Sequence, residues 1–190
     1  MDYLKELAKY VKTQKQKIFD FDFLKNADKY EVWDEIDFNR ESTSKITYEV
    51  TLEDLKSYAE GALDTNPLFV DEDYAKKSVY GEIISHPNFS IVILFWCLRE
   101  GIGDWIRTPG SINPGHRWEF YEPFRVGDII RVKTKPYDRW IKRGRHYLTY
   151  QMDFIDQNDR LKQRYWCTLI LPKTRADVAK IMKGEHVIEA

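Results

Sequence analysis

Residues 3–18 place Leu4, Leu7, Ala8, Val11 and Ile18 among lysines at helical spacing, which predicts an N-terminal helix with one apolar face. Residues 19–45 carry Phe19, Phe21, Phe23, Tyr30, Trp33 and Phe38 without a period. They read as an irregular arm packed on a domain, since so many aromatics argue against disorder. Residues 46–50 alternate as a strand does. Thr51-Leu52-Glu53-Asp54 has the form of a capping box, opening a short helix to about Ala62. Asn66-Pro67 signals a turn. Asp71 suits the cap of a second short helix, which Gly81 ends.

A different pattern follows. Phe89, Ile91, Val92, Leu94, Phe95, Trp96, Cys97 and Leu98 are apolar on nearly every side. With Pro87 in its first turn, this predicts a helix over 87–102, closed by Gly101 and Gly103 and wrapped by protein on most sides. From Ser111 onward the period is that of strands. Residues 116–124 alternate with Trp118 and Phe120 on one face; 128–137 turn Ile130 and Val132 one way and Arg131 and Lys133 the other. Residues 147–155 and 163–171 complete the set, with hairpin loops at Lys142-Arg143-Gly144-Arg145 and Gln157-Asn158-Asp159. Pro172 stops the last strand, and 176–182 suits a terminal helix. One long apolar helix against antiparallel strands is an α+β arrangement.

Composition narrows the classes. The 190 residues suit one domain with extensions, and 43% hydrophobic content supplies a core. Thirty Lys and Arg against 31 Asp and Glu give no global attraction to nucleic acid or an anionic membrane. Cys97 and Cys167 stand far apart in apolar settings, as buried free thiols do, and a reducing cytoplasm suits them. The N-terminus lacks a signal-like apolar run and no stretch approaches a membrane span, so a cytoplasmic protein is expected. No His or Cys spacing points to a metal, and no cofactor motif is present.

The chemistry lies in Asp64-Thr65-Asn66-Pro67-Leu68-Phe69. The segment resembles the active-site loop of the MaoC-like acyl-thioester hydratases, D-x-N-P-x-H. Tyr80-Gly81-Glu82-Ile83-Ile84-Ser85-His86-Pro87 resembles the stretch that leads into the central helix of that family. Glu122-Pro123-Phe124-Arg125-Val126-Gly127-Asp128 is similar to its P-x-x-x-G-D turn. The best match is the N-terminal-type dehydratase subgroup. The resemblance implies a hot-dog fold at 46–172, with residues 1–45 as an added arm and 173–190 as a helical tail. It also implies sheet-edge pairing into a homo- or hetero-oligomer, and an acyl-CoA or acyl-carrier-protein thioester as ligand.

In that family an Asp and a His flank one water and serve as base and acid, while backbone amides at the start of the central helix stabilise the thioester oxygen. Carried over, Asp64 takes the Asp position. Phe69 stands where the His belongs and cannot move a proton. His86, near the helix start, is the substitute to test; packing alone also explains it. Asn66 holds the loop, and Asn88 or Phe89 supplies the amide because Pro87 has none; Asn66, Asn88, Phe89 and Tyr80 are the expected substrate-binding residues. His116, His146 and His186 match no catalytic position. The basic positions Arg131, Lys133, Lys135, Arg139, Lys142, Arg143 and Arg145 suit either coenzyme A phosphates or a solvated strand face.

Three readings stay open. The chain is a subunit of an enoyl-CoA hydratase or 3-hydroxyacyl-thioester dehydratase whose complete Asp/His pair lies in a partner hot-dog chain. Or it is a self-sufficient hydratase using Asp64 with His86. Or it is a non-catalytic acyl-CoA-binding or scaffold protein.

Overall fold

The computed structural model describes residues 8–19, 30–100 and 108–185. Its centre is an antiparallel sheet in the order β1-β4-β5-β6-β3, with β2 also paired to β4. The strands are β1 (Ser42–Thr43), β2 (Tyr48–Glu49), β3 (Ile112–Phe120), β4 (Ile129–Lys142), β5 (Arg145–Ile155) and β6 (Leu161–Leu171). The helices are α1 (Gln14–Ile18), α2 (Leu52–Gly61), α3 (Pro67–Val70), α4 (Glu72–Lys77), α5 (Ser90–Cys97) and α6 (Arg175–Met182).

The strand alternation holds through the sheet. Leu148, Tyr150, Met152 and Phe154 on β5 are wholly buried, as are Ile130 and Val132 on β4. Across the ladder β6 places Tyr165 opposite Met152 and Cys167 opposite Tyr150. These side chains meet Phe89, Ile93, Leu94 and Cys97 in one core. The β4–β5 hairpin closes through Arg143 and Gly144, at φ +49° and +69°. Two successive positive φ values match the right-handed twist of the strands, and the glycine meets half of that demand without strain. Pro136 sits inside β4 beside a register shift, so its missing N–H falls at an irregularity of the ladder.

The two capping boxes that matter here are made. Thr51 caps α2 with Asp54, and Thr174 caps α6 with Asp177. Asp71 caps α4 by accepting from the amides of Asp73 and Tyr74. Part of the arm lies on the sheet: the Trp33 indole donates to the Tyr147 carbonyl at 3.0 Å, and Glu31 accepts from the hydroxyl of buried Tyr150.

Several expectations are corrected. The N-terminal helix is not continuous in its described part. The chain leaves helical geometry at Val11, and Thr13 opens a new helix by a capping box with Gln16; Leu4 and Leu7 lie outside the described residues. The predicted strand at 46–50 keeps two residues, Tyr48 and Glu49, although the Val50 amide still donates to the Asp128 carbonyl in the same register. Asn66-Pro67 opens α3, with Asn66 as cap and Pro67 in the first turn. Ser78 ends α4, and Gly81, at φ +75°, serves the following turn. The ladder of β3 stops at Phe120 because the amides of Tyr121 and Glu122 both go to the Lys162 carbonyl. Phe124 then leaves the strand and enters the core.

The largest correction concerns the central helix. A 3-10 turn, Pro87–Phe89, leads into α5, which ends at Cys97; Gly101 and Gly103 lie outside the described residues. The Glu100 carbonyl accepts from the Lys45 amide, which ties the end of the helix to the arm. Nor is the helix covered on every side. Ile93, Leu94 and Cys97 are buried, but Ile91, Val92, Phe95 and Trp96 are only half-buried.

Candidate active site

Asp64 and His86 come together. The loop after α2 turns at Leu63, which has φ +55°. The Asp64 amide donates to the Ala59 carbonyl at 3.0 Å. One carboxylate oxygen, Oδ1, accepts from the Asn66 amide at 2.9 Å, an Asx turn built by the residue itself. The other, Oδ2, faces His86 Nε2 at 3.4 Å. Asn66 in turn accepts from the Leu68 amide at 3.1 Å. Its side chain holds the loop, as the resemblance implies.

His86 caps the turn that opens the central helix. Its Nδ1 accepts from the Asn88 amide at 3.1 Å. That bond places the ring hydrogen on Nε2, pointing at Asp64. For Nδ1 to take a proton it must give up the Asn88 amide. The Phe89 amide donates to the His86 carbonyl at 3.0 Å. The two amides assigned to the thioester oxygen are therefore both engaged within the turn, and Pro87 contributes none. Asn88 and Phe89 reach the site, but in this state they brace it.

Phe69 fills its position as an apolar residue. It is buried with Ala59 and Ile84, against Leu68 and Tyr80. Its ring meets the His86 imidazole edge to face at 5.5 Å between centroids. Tyr80 joins this cluster by its ring, and its carbonyl accepts from Arg125 at 3.0 Å. Tyr58 also packs on His86, with ring centroids 5.4 Å apart.

A buried knot holds this end of the molecule. Lys162 has no exposed surface, and its Nζ stands 3.1 Å from Glu122 and 3.2 Å from Asp128. Asp128 also accepts from the Arg125 amide at 2.9 Å, and Gly127 takes φ +87° in that turn. The Gly-Asp pair shapes the turn as the sequence implies. Next to it Ser85 and Phe124 exchange hydrogen bonds: the Ser85 amide donates to the Phe124 carbonyl, and the Phe124 amide donates to Ser85 Oγ. The knot thus fixes the residue immediately before His86. Sequence reading passed over Lys162, because a lysine in a strand ordinarily turns to solvent.

The other histidines stand apart. His116 meets the Tyr165 hydroxyl through Nδ1, and His146 packs against Trp33 at 5.0 Å. His186 lies outside the described residues. Much of the basic stretch is engaged locally: Arg131 pairs with Asp159, and Arg139 lies over the rings of Trp33 and Phe38. Among the described residues no group of three or more His, Cys, Asp or Glu is placed to hold a metal ion. No helix among them is long and apolar enough to cross a membrane.

The profile of a FAS1-like, dehydratase domain region matches residues 39–162. The chain belongs to this family. Two relatives of this FAS1-like dehydratase chain show the range. A UPF0336 protein of Thermobifida fusca is 27% identical over 113 residues, covering 56% of this chain and 72% of the relative. A 3-hydroxybutyryl-CoA dehydratase of Methylorubrum extorquens is 27% identical over 93 residues, covering 49% of this chain and 57% of the relative. The match thus spans little more than half of that enzyme.

Solved structures agree on the fold. The R-hydratase PhaJ1 of Pseudomonas aeruginosa superposes with a TM-score of 0.59 at 19% identity, over 75% of this chain and 86% of its own. A chain of the HadBC 3R-hydroxyacyl-ACP dehydratase complex of Mycobacterium tuberculosis gives 0.60 at 16% identity, over 69% and 94%. The FAS1-like dehydratase chain is a MaoC-like hot-dog domain, with its sheet packed around α5.

Proposed function

We propose that this chain is the acyl-thioester-binding subunit of an enoyl-CoA hydratase or 3-hydroxyacyl-thioester dehydratase, paired with a second hot-dog subunit that carries the complete Asp/His pair. The observation that carries this reading is the pair of losses at one site. Phe69 closes the His position with a packed ring, and the amides of Asn88 and Phe89 are already spent on His86.

Hydration of an enoyl thioester adds a water oxygen to the β-carbon and a proton to the α-carbon. A base must take the proton that the water loses, an acid must supply the α-proton, and donors must hold the charge that builds on the thioester oxygen. Asp64 can serve as base. The helix-start amides that would hold the oxygen's charge are engaged within the turn, and the His86 ring is held by Asn88 and Asp64. The name of the HadBC complex describes a dehydratase of more than one chain, which supports a division of labour of this kind.

A second reading rests on the 3.4 Å contact of Asp64 and His86. A carboxylate facing a ring N–H is a base beside an acid, and catalytic hydrogen bonds are often long before substrate arrives. Here the chain hydrates alone, and substrate binding frees an amide from His86.

One experiment separates the two. The chain is purified alone and together with a MaoC-like protein bearing an intact D-x-N-P-x-H, and both are assayed on crotonyl-CoA and longer enoyl-CoAs. The subunit reading expects turnover only from the pair, lost when the partner's Asp is replaced and largely kept in Asp64→Asn of this chain. Turnover by the chain alone, abolished by Asp64→Ala or His86→Ala, overturns it in favour of the second reading.

A further inference from the structure

A cavity of about 490 Å³ lies between α2, α5 and the N-terminal segment. Its wall is apolar: Tyr58, Phe89, Ile91, Val92, Phe95 and Trp96 face it. Four of these are the half-buried positions of α5, so the side of the central helix that the sheet leaves uncovered is the floor of this space. The volume falls within the range of small-molecule sites.

The roof comes from outside the family region, which begins at residue 39. Tyr10, Val11 and Phe19 lie over the cavity, and the Phe19 ring stacks on Trp96 at 6.4 Å. Two ion pairs pin this segment to α2. Lys12 meets Glu60 at 2.6 Å on the surface. Lys15 meets Asp54 at 2.6 Å, and Asp54 is buried. Asp54 already accepts from the Thr51 amide and hydroxyl as the cap of α2. The Lys15 contact is therefore additional to its local duty and serves to hold the segment down.

The cavity adjoins the Asp64–His86 pair. Tyr58 lines it, and its ring centroid is 5.4 Å from that of His86. Its hydroxyl reaches the Asn88 carbonyl at 3.3 Å, which stations the ring between the two spaces.

We infer that this cavity receives the apolar tail of acyl thioesters longer than crotonyl, and that residues 10–19 form its latched cover, with Tyr58 at the entrance. The inference rests on the thioester-binding reading above and adds where the tail goes. A four-carbon acyl group held at Asp64 and His86 reaches little beyond the Tyr58 ring, which lies beside His86; a longer one extends past it and replaces empty space with contact along α5. Each methylene taken from water into such a wall strengthens binding about threefold to fourfold.

The test uses the full chain, with its MaoC-like partner where one is found, and the saturated thioesters butyryl-, octanoyl- and dodecanoyl-CoA, which bind without reacting. Calorimetric affinities rise with chain length in the wild type. Val92→Trp fills the cavity and lowers dodecanoyl-CoA affinity by about tenfold or more, while butyryl-CoA stays within about twofold. Val11→Asp, at an exposed cover position, weakens the long thioester selectively as well. Affinity independent of chain length, or unaltered by both variants, overturns the tail site and leaves the thioester-binding reading intact. Failure of every thioester to bind, in a chain folded by circular dichroism, overturns both.

Discussion

Oδ2 of Asp64 faces Nε2 of His86 at 3.4 Å, and the other nitrogen of that ring is held by the Asn88 amide. The histidine is thereby braced between the motif loop and the start of the central helix. It stands beside the family His position without occupying it. Phe69, which does occupy that position, presses edge-on against the same imidazole.

Phe69→His should therefore behave differently from a simple repair. The histidine variant puts a polar ring among Ala59, Ile84 and Leu68, whose side chains offer it no hydrogen-bond partner. A loss of about 1–3 kcal/mol in urea unfolding is expected for Phe69→His. Turnover of the isolated chain on crotonyl-CoA should stay at background, because the helix-start amides remain engaged by His86. Robust turnover by this single variant would show that the missing imidazole was the only defect.

Lys162→Met tests the knot under the site. The substitution leaves the carboxylate of Asp128 buried without its cation. Removing one partner of a buried pair typically costs about 3–5 kcal/mol. Adding Asp128→Asn should recover much of that loss, since an amide oxygen still accepts from the Arg125 amide. Thermal unfolding of the wild type, the single variant and the double variant checks this. Equal melting temperatures for the two variants would mean that the uncompensated charge is not what destabilises the first.

The sequence carried the local parts of this fold clearly. Thr51 with Asp54, Thr174 with Asp177, Asp71, and the Arg143-Gly144 hairpin are all decided by neighbours within four residues, and each is where its pattern puts it. Asp64 was legible as the aspartate of a motif, and the Asx turn that it makes with the Asn66 amide is local in the same way. What was not legible depends on distant contacts. The early end of α5 follows from the arm reaching Glu100, and the burial of Lys162 follows from two carboxylates about 40 and 34 residues away in the chain. The engagement of the Asn88 amide by His86 is local, yet no residue pattern announces it, because a His cap is one outcome among several for a side chain beside Pro87.

Asp156 should govern stability in acid. Its side chain is buried at the β5–β6 loop, which alone would raise its pKa; the amides of Arg160 and Asn158 and the Arg160 guanidinium outweigh that and hold it below the ordinary carboxylate value. A depressed carboxylate contributes stability that is fully present above its unfolded value, about 3.9, and lost as pH falls through the folded one. Asp156→Asn keeps acceptors for the amides but not the charge. The stability gap between the wild type and this variant should be widest above about pH 5 and close below that window. A gap that does not narrow in acid would remove the charge from the explanation.

His116 should lower stability in the same direction, as pH falls, but over a higher range. It lies on β3 at the rim of a second hollow, beside Trp118 and Tyr165. The side chain is exposed, yet partial desolvation among these rings holds its imidazole below the ordinary histidine value, and its Nδ1 meets the Tyr165 hydroxyl, a contact that suits a neutral ring accepting a hydrogen bond from the phenol. The unfolded chain binds a proton at this residue near pH 6.5, while the folded chain still resists it. Below that point the unfolded state therefore holds more protons, and folding weakens as pH falls from about 6.5 toward the depressed folded value. His116→Asn removes the titration and keeps a side chain able to meet the hydroxyl. Chemical denaturation of wild type and variant at intervals between pH 5 and 8 should show a steeper decline for the wild type below about pH 6.5, and parallel curves above it. Parallel curves throughout would mean that His116 takes up its proton as readily in the folded chain as in the unfolded one, and that the hollow beside it is open to water.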